Sequence, residues 1–587
     1  MTIQLIFGNI SIHRDLIREL CTHILYPMVE NNKNNNDYFA DLADLLFPEA
    51  KPGAEIEKLY PVRSLPPEAC VTRLGPSPTG FIHLGNLFMA TVNSRLAKQT
   101  GGVFFLRIED TDRKREVEGA VESLLSSLEY FNIEFTEGAT VDGETGDYGP
   151  YRQSERRYIY EAFVRELILA GKAYPCFLTE EQIEAIRAEQ EANKELPGVY
   201  GKYAEWRNAD LDVIRKYISE GNPYVIRLNA DAANDIVGSG DTITVSDGIR
   251  GDIRLPRNIL DVVIIKQDGL PTYHFAHTVD DHLMRTTHVI RGEEWLSSLP
   301  IHIALFEALD WTPPTYCHTA LLMKTDDGVK RKLSKRKDPE LALSYYISEG
   351  YHPKAIEEYL LTIINSNYEE WRLANPLLDN TEFTLTTAKM GGSGILVDLD
   401  KLRDVSRDTL VRIPANELAD FLTDWAGREM PDALPVLIKD RALLEAALDI
   451  GRGGDKPRKD LESAPQIFAF ISYFFDEYFK INDPLPENVS EEDAKALLVG
   501  YLDTYLHDDD RETWFGKIRT LGEQHGYAPR PKDYKNNPES YKGHVGDVSA
   551  VIRLALTGKL ESPDIWEIQQ ILGKERVCDR LQKFTII

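Results

Sequence analysis

Short apolar runs alternate with longer helical patterns up to Asp338, and helical periodicity dominates beyond it. The stretch 71–86, VTRLGPSPTGFIHLGN, begins with an apolar segment carrying Arg73, breaks at Pro-Ser-Pro-Thr-Gly and restarts at His83-Leu84-Gly85. That order predicts a strand, a tight loop and a helix N-terminus, a place where free backbone N–H groups hold an anion. Apolar or small residues at Leu87, Phe88, Ala90, Val92, Leu96 and Ala97 cover more than one helical face, so this helix is expected to lie buried against a sheet. VFFLRI at 103–108 is nearly continuous in apolar character, as a parallel strand covered on both sides would be. Strand, helix and strand imply a right-handed crossover in an open α/β sheet, whose ligands sit beyond the carboxyl ends of the strands.

Glu109-Asp110-Thr111-Asp112 sets carboxylates at that edge, as a solvated turn or as part of a site, and a helical pattern runs on through Tyr130. Two charged amphipathic helices are expected over 154–195. Short strands with Gly and Asn turns follow between Gly198 and Pro256, including PYVIRL and DTITVSD, and read as an α+β insertion. DVVIIK at 261–266 is expected to resume the large sheet, and His288–Ile290 to add a strand ending at Arg291-Gly292. The window 330–337, KRKLSKRK, holds six Lys or Arg in eight residues. Either a solvated surface run or a mobile loop neutralising a polyphosphate accounts for it.

Length and charge narrow the picture. At 587 residues the chain calls for about three to five domains. A net charge of −28 excludes a general polyanion binder, so contacts with nucleic acid must come from local basic patches such as the loops at 452–460 and 530–542. Five widely spaced cysteines support neither a disulfide framework nor a closed zinc site and fit a reducing cytoplasm. There is no apolar run long enough for a membrane span, and charged residues interrupt the N-terminal apolar patch too soon for a signal peptide. NNKNNN at 31–36 either separates a dispensable extension, with Met28 as an alternative start, or forms a surface loop.

Taken together, Pro-Ser-Pro-Thr-Gly with His83-Leu84-Gly85-Asn86, Arg-Ile-Glu-Asp-Thr-Asp at 107–112 and Lys332-Leu333-Ser334-Lys335-Arg336 resemble, in that order, the signatures of class I glutamyl-tRNA synthetases of bacterial type. Ser77-Pro78-Thr79-Gly80 and the helical C-terminus set the chain apart from the glutaminyl branch, which typically carries Glu-Pro-Asn-Gly and ends in β-barrels. The resemblance implies an α/β Rossmann-like catalytic domain with an α+β insertion, followed by an all-α C-terminal half. The expected division is an N-terminal extension at 1–66, catalytic halves at 67–153 and 261–337, an acceptor-end-binding insertion at 154–260, a stem-contact domain at 338–410 and an anticodon-binding domain at 411–587.

The implied reaction is ATP-dependent ligation of L-glutamate to tRNA-Glu through a glutamyl-adenylate, with charging of tRNA-Gln left open. By motif position, His83, Gly85, Lys332, Lys335 and Arg336 are expected to serve catalysis. ATP, with Mg²⁺, is expected at Ser77, Thr79, His83, Gly85, Asn86 and Lys335. Glutamate is expected at Arg73, Ser77, Glu109, Tyr273, His277 and Arg291, because a guanidinium pairs a carboxylate through parallel hydrogen bonds. His277 stands where the family pattern has Asn and brings a group that can titrate near neutrality. Cys176-Phe177-Leu178 lacks the second Cys of the zinc-binding relatives, so no structural zinc is expected. A cytoplasmic monomer completes the expectation.

Overall fold

The computed structural model describes residues 35–78, 80, 82–112, 116–234, 242–453 and 457–586. Most of the Asn-rich run, Met28 and Thr79 lie outside these residues. Helices α1 (Asn35–Leu46) and α2 (Gly53–Glu57) precede the first strand. Leu42, Ala43, Ile56 and Tyr60 are buried in the same core as the sheet, so the segment from 35 onward packs on the body.

Strand β1 (Val71–Leu74), helix α3 (Leu84–Gln99) and strand β2 (Val103–Leu106) form the expected crossover, with β1 and β2 parallel in the register Arg73 opposite Phe105. All eight strand residues are buried, which explains why neither run alternates. Helix α4 (Ala120–Tyr130) leads to β3 (Glu137–Ala139), parallel to β2, and to the short antiparallel β4 (Glu144–Thr145).

The insertion begins with α5 (Arg157–Leu169), β5 (Ala173–Cys176) and α6 (Glu180–Asn193). The sequence reading passed over β5, and also over α7 (Leu211–Ser219), which the Asp210 side chain caps at the Asp212 N–H. Strand β6 (Val225–Leu228) follows, then the antiparallel hairpin of β7 (Thr242–Asp247) and β8 (Gly251–Pro256).

Strand β9 (Val263–Ile265) departs from expectation. It pairs antiparallel with β6, Ile226 opposite Ile265, and so closes the insertion's own sheet, β5-β6-β9, without re-entering the large one. The cause lies just before the strand: Asp261, fully buried, accepts from Tyr174 Oη (2.6 Å), Arg207 Nε (2.6 Å) and Ala230 N (2.9 Å), all within the insertion. A short apolar run reads alike in either sheet.

Helix α8 (Tyr273–Leu283) returns to the catalytic body, and β10 (His288–Gly292) lies beside β1, with Thr287 N–H donating to Val71 O (3.0 Å). Beyond α9 (Leu299–Ala308), β11 (Thr315–Thr319) pairs parallel with β10. Strands β12 (Leu322–Asp326) and β13 (Val329–Lys332) make a hairpin, so the first three residues of the basic window are strand and the rest loop. From there the regular elements among the described residues are helices, apart from β14 (Ile395–Leu396) beside β12. Helix α10 (Leu399–Leu410) spans two cores, giving Leu402 to the catalytic one and Leu410 to that of the C-terminal helices. No helix among the described residues is long and apolar enough to cross a membrane.

Candidate active site

A cavity of about 1050 Å³ opens at the carboxyl ends of β1, β2 and β10, where an open α/β sheet binds its ligands. Arg73, Glu109, Tyr273 and Arg291 line one part of it, and Ser77, His83, Gly85, Asn86 and Lys332 another.

His83 is the N-cap of α3, and its backbone N–H donates to Asn86 Oδ1 (3.0 Å), so Asn86 fixes the helix start. Burial lowers the His83 pKa against nearby Glu294, with Lys332 pushing the same way, so the ring is neutral at pH 7. A Cβ on Gly85 would come within 2.8 Å of His83 Nδ1, which accounts for glycine there. Lys332, last residue of β13, faces the cavity. Lys335 and Arg336 are exposed and do not line it. Their loop folds back on Asp338, whose carboxylate accepts Arg331 Nη1 and Nη2 (2.7 and 2.8 Å) and Ser334 N (2.8 Å).

The amino-acid end rests on a buried charge network that the sequence reading did not anticipate. Asp281, on α8, accepts Arg73 Nε with both oxygens (3.3 Å each), Arg107 Nη1 (2.7 Å) and Thr286 Oγ1 (3.2 Å). Against the upward push of burial, Arg107, Arg73 and His277 hold its carboxylate well below the usual range. Arg107 also donates to Glu109 (2.9 Å), while Asp280, next along the helix, takes Arg156, Gln153 and Tyr160. Burial raises the Glu109 pKa despite Arg107 and Arg73. An Asp-Asp pair on a helix between the apolar Val279 and Leu283 was the available signal, since carboxylates are rarely buried unless paired.

His277 does not line the cavity. It is fully buried, with Nδ1 2.7 Å from Asp281 Oδ2 and Nε2 3.1 Å from Tyr316 Oη. Burial lowers its pKa to about 3, against Asp281. The expected substrate contact and near-neutral titration are therefore corrected: the ring lies behind the pocket between Asp281 and Tyr316, and Tyr273 stacks over it toward the cavity (5.7 Å, 10°).

Arg291, unlike Arg73, Arg107 and Arg156, makes no hydrogen bond to a carboxylate. Its Nε donates to His318 Nε2 (3.0 Å) and its Nη1 to His302 Nδ1 (3.1 Å), and Nη2 is buried without a hydrogen-bond partner. Burial lowers the pKa of both histidines, so both are neutral acceptors at pH 7. The cation thus sits beside the cavity with no hydrogen bond to a carboxylate, which an anionic ligand would supply.

Family models match residues 69–376 as "tRNA synthetases class I (E and Q), catalytic domain" and 535–585 as "Anticodon binding domain". A glutamate–tRNA ligase of Acetivibrio thermocellus is 54% identical over 547 residues, covering 93% of this chain and 99% of the relative. This chain belongs to the class I glutamate–tRNA ligases. One from Clostridium perfringens strain SM101 is 45% identical over 94% of this chain and all of the relative. The crystal structure of a glutamate tRNA ligase from Elizabethkingia meningosepticum, in complex with its amino acid, superposes with a TM-score of 0.69 at 28% identity, covering 88% of this chain and 99% of that one.

In this ligase several basic residues of the loops at 452–460 and 530–542 have partners within the protein. Arg452 Nη2 donates to the Leu410, Val411 and Ile413 carbonyls at the end of α10, which no intrahelical N–H satisfies. Arg458 lies 3.3 Å from the centroid of the Phe470 ring, and Arg530 and Lys542 pair with Asp533 and Asp493. Cys176 packs with Tyr174, Val199 and Ala204, and no group of three or more His, Cys, Asp or Glu that could hold a metal occurs among the described residues.

Proposed function

We propose that the chain ligates L-glutamate to tRNA-Glu in the cytoplasm, as a monomer, through a glutamyl-adenylate. The observation that carries the amino-acid assignment is Arg291, a buried cation at the cavity wall whose Nη2 has no hydrogen-bond partner and which donates to no carboxylate. Arg291 takes the substrate's side-chain carboxylate, together with the terminal nitrogens of Arg73. Glu109 takes the ammonium, an incoming cation that favours its charged form against the upward push of burial. Tyr273 covers the aliphatic part of the substrate.

The α-carboxylate of glutamate attacks the α-phosphorus of Mg·ATP, the P–O bond to pyrophosphate breaks, and the terminal ribose hydroxyl of tRNA then displaces AMP from the acyl carbon. Both displacements gain from positioning and from charge stabilisation more than from covalent help. His83 and the start of α3, with Gly85 leaving the backbone open, receive the phosphates; Ser77 and Lys332 flank them. Lys335 and Arg336 act from the rim, moving toward the β- and γ-phosphates once ATP supplies an attraction stronger than solvent. Asn86 acts through the helix cap. The insertion receives the acceptor end of tRNA and the C-terminal helices read the anticodon, the latter supported by the match over 535–585.

The test is charging of purified tRNA-Glu and tRNA-Gln with labelled glutamate and ATP. Glutamate-dependent charging of tRNA-Glu supports the reading, and failure with both tRNAs overturns it. Charging of tRNA-Gln decides whether the enzyme discriminates.

A further inference from the structure

The insertion meets the amino-acid pocket from behind, at the end of β7. Asp247 ends β7 and is 4% exposed, and its Oδ2 lies 2.7 Å from His318 Nδ1. Its Oδ1 accepts the Ile249 and Arg250 N–H groups (2.9 Å each), which folds the hairpin turn around the carboxylate. That turn is seated tightly on the end of β11: Gly248 N donates to Tyr316 O (2.8 Å), Arg250 Nε donates to His318 O (2.9 Å), and a Cβ at Gly248 would lie 2.5 Å from Cys317 Sγ. Arg250 Nη2 also donates to Glu293 (2.5 Å), two residues beyond Arg291.

The direction of each hydrogen bond follows from chemistry. A guanidinium can only donate, so His318 Nε2, 3.0 Å from Arg291 Nε, must be the acceptor. Burial keeps the ring neutral, and its single proton is then on Nδ1, where Asp247 accepts it. The same reasoning puts the His302 proton on Nε2, toward His274 Nδ1 (2.9 Å).

We propose that Asp247 is a positioning residue for glutamate: through His318 it fixes the plane of the Arg291 guanidinium and aims Nη2 at the substrate carboxylate. This rests on the reading of Arg291 given above. Without Asp247 the imidazole is free to take the other tautomer, in which Nε2–H points at the Arg291 donor and drives it out of place. A segment assigned to the tRNA acceptor end thereby sets the geometry of the amino-acid site.

The experiment is steady-state charging of tRNA-Glu, varying glutamate and ATP separately, with Asp247→Asn, His318→Leu, their combination, His318→Gln and Arg291→Ala. Asp247→Asn and His318→Leu are each expected to raise the glutamate KM about 10- to 100-fold, the scale for a misplaced binding group, and to leave the ATP KM within about twofold. The double variant should be no worse than the poorer single one, because Asp247 acts through His318. Gln, which can accept from Arg291 and donate to Asp247, should restore most of the loss. Equal rises in both KM values, additive losses, or lower thermal midpoints with an unchanged glutamate KM would overturn the proposal. If Arg291→Ala raises the glutamate KM while Asp247→Asn and His318→Leu do not, positioning alone fails; if Arg291→Ala has no effect, the pocket reading fails and this inference with it.

Discussion

Replacing Asp281 by Asn removes one negative charge from the centre of the buried network and changes almost no volume. The carboxylate holds Arg107 at 2.7 Å and Arg73 at 3.3 Å, and lies 2.7 Å from His277. An amide can keep one acceptor, enough for Arg107, but it presents N–H groups to either Arg73 Nε or His277. Arg107, fully buried, then keeps Glu109 at 2.9 Å and Asp280 at 3.8 Å. Breaking a buried pair on one side costs about 3–5 kcal/mol. For a unit of this size that corresponds to a fall of roughly 5–10 °C in the thermal midpoint. Arg73 also loses the group that orients it, so kcat/KM for glutamate should fall about 10²-fold. Differential scanning fluorimetry and glutamate-dependent charging measure the two effects. Asp280→Asn is the control: Arg156 and Tyr160, two of its partners, do not line the cavity, and it makes no hydrogen bond to Arg73, so it should lower the midpoint with a smaller effect on glutamate. An Asp281→Asn enzyme with wild-type midpoint and glutamate kinetics would refute the reasoning.

Acid should destabilise the fold early. The folded-state pKa of His277 is about 3, and an unfolded histidine titrates near 6.5, so as pH falls below about 6.5 the unfolded chain takes up a proton that the native ring refuses. This histidine alone costs about 1.4 kcal/mol per pH unit, so chemical denaturation at pH 7.5 and pH 5 should show a clear loss, smaller in His277→Asn. Gly85→Ala puts a methyl group against the His83 ring and should raise the ATP KM several-fold with little change for glutamate in charging kinetics. Asp338→Ala releases Arg331 and the Ser334 N–H from the rim loop and should change the ATP KM in the same assay, leaving glutamate binding by calorimetry intact.

Much of this site is legible in the chain because the residues that face the phosphates lie in one local strand-loop-helix pattern, whose loop and caps are written in Pro, Gly and His. Arg73 and Arg291 are legible only through the resemblance, since nothing local tells an arginine beside a cavity from one in an ion pair. The network behind them was missed because its members, Arg107, Asp247, Asp281, His302 and His318, come from separate elements that only the fold brings together. His277 was misplaced for a related reason: a helix position fixes the Cα, but the nearby Asp281 carboxylate and Tyr316 hydroxyl decide where the ring turns. The sheet assignment of 263–265 failed because its pairing is settled by Asp261, one turn of chain earlier, and by three partners distant in sequence.

The central claim is that Arg291 receives the side-chain carboxylate of glutamate. A crystal structure of the enzyme with bound L-glutamate tests it most directly. The account predicts a carboxylate oxygen at about 2.8–3.0 Å from Arg291 Nη2, with Nε and Nη1 still on His318 and His302. A side-chain carboxylate bound elsewhere in the cavity, with Arg291 Nη2 left unpaired, would contradict it.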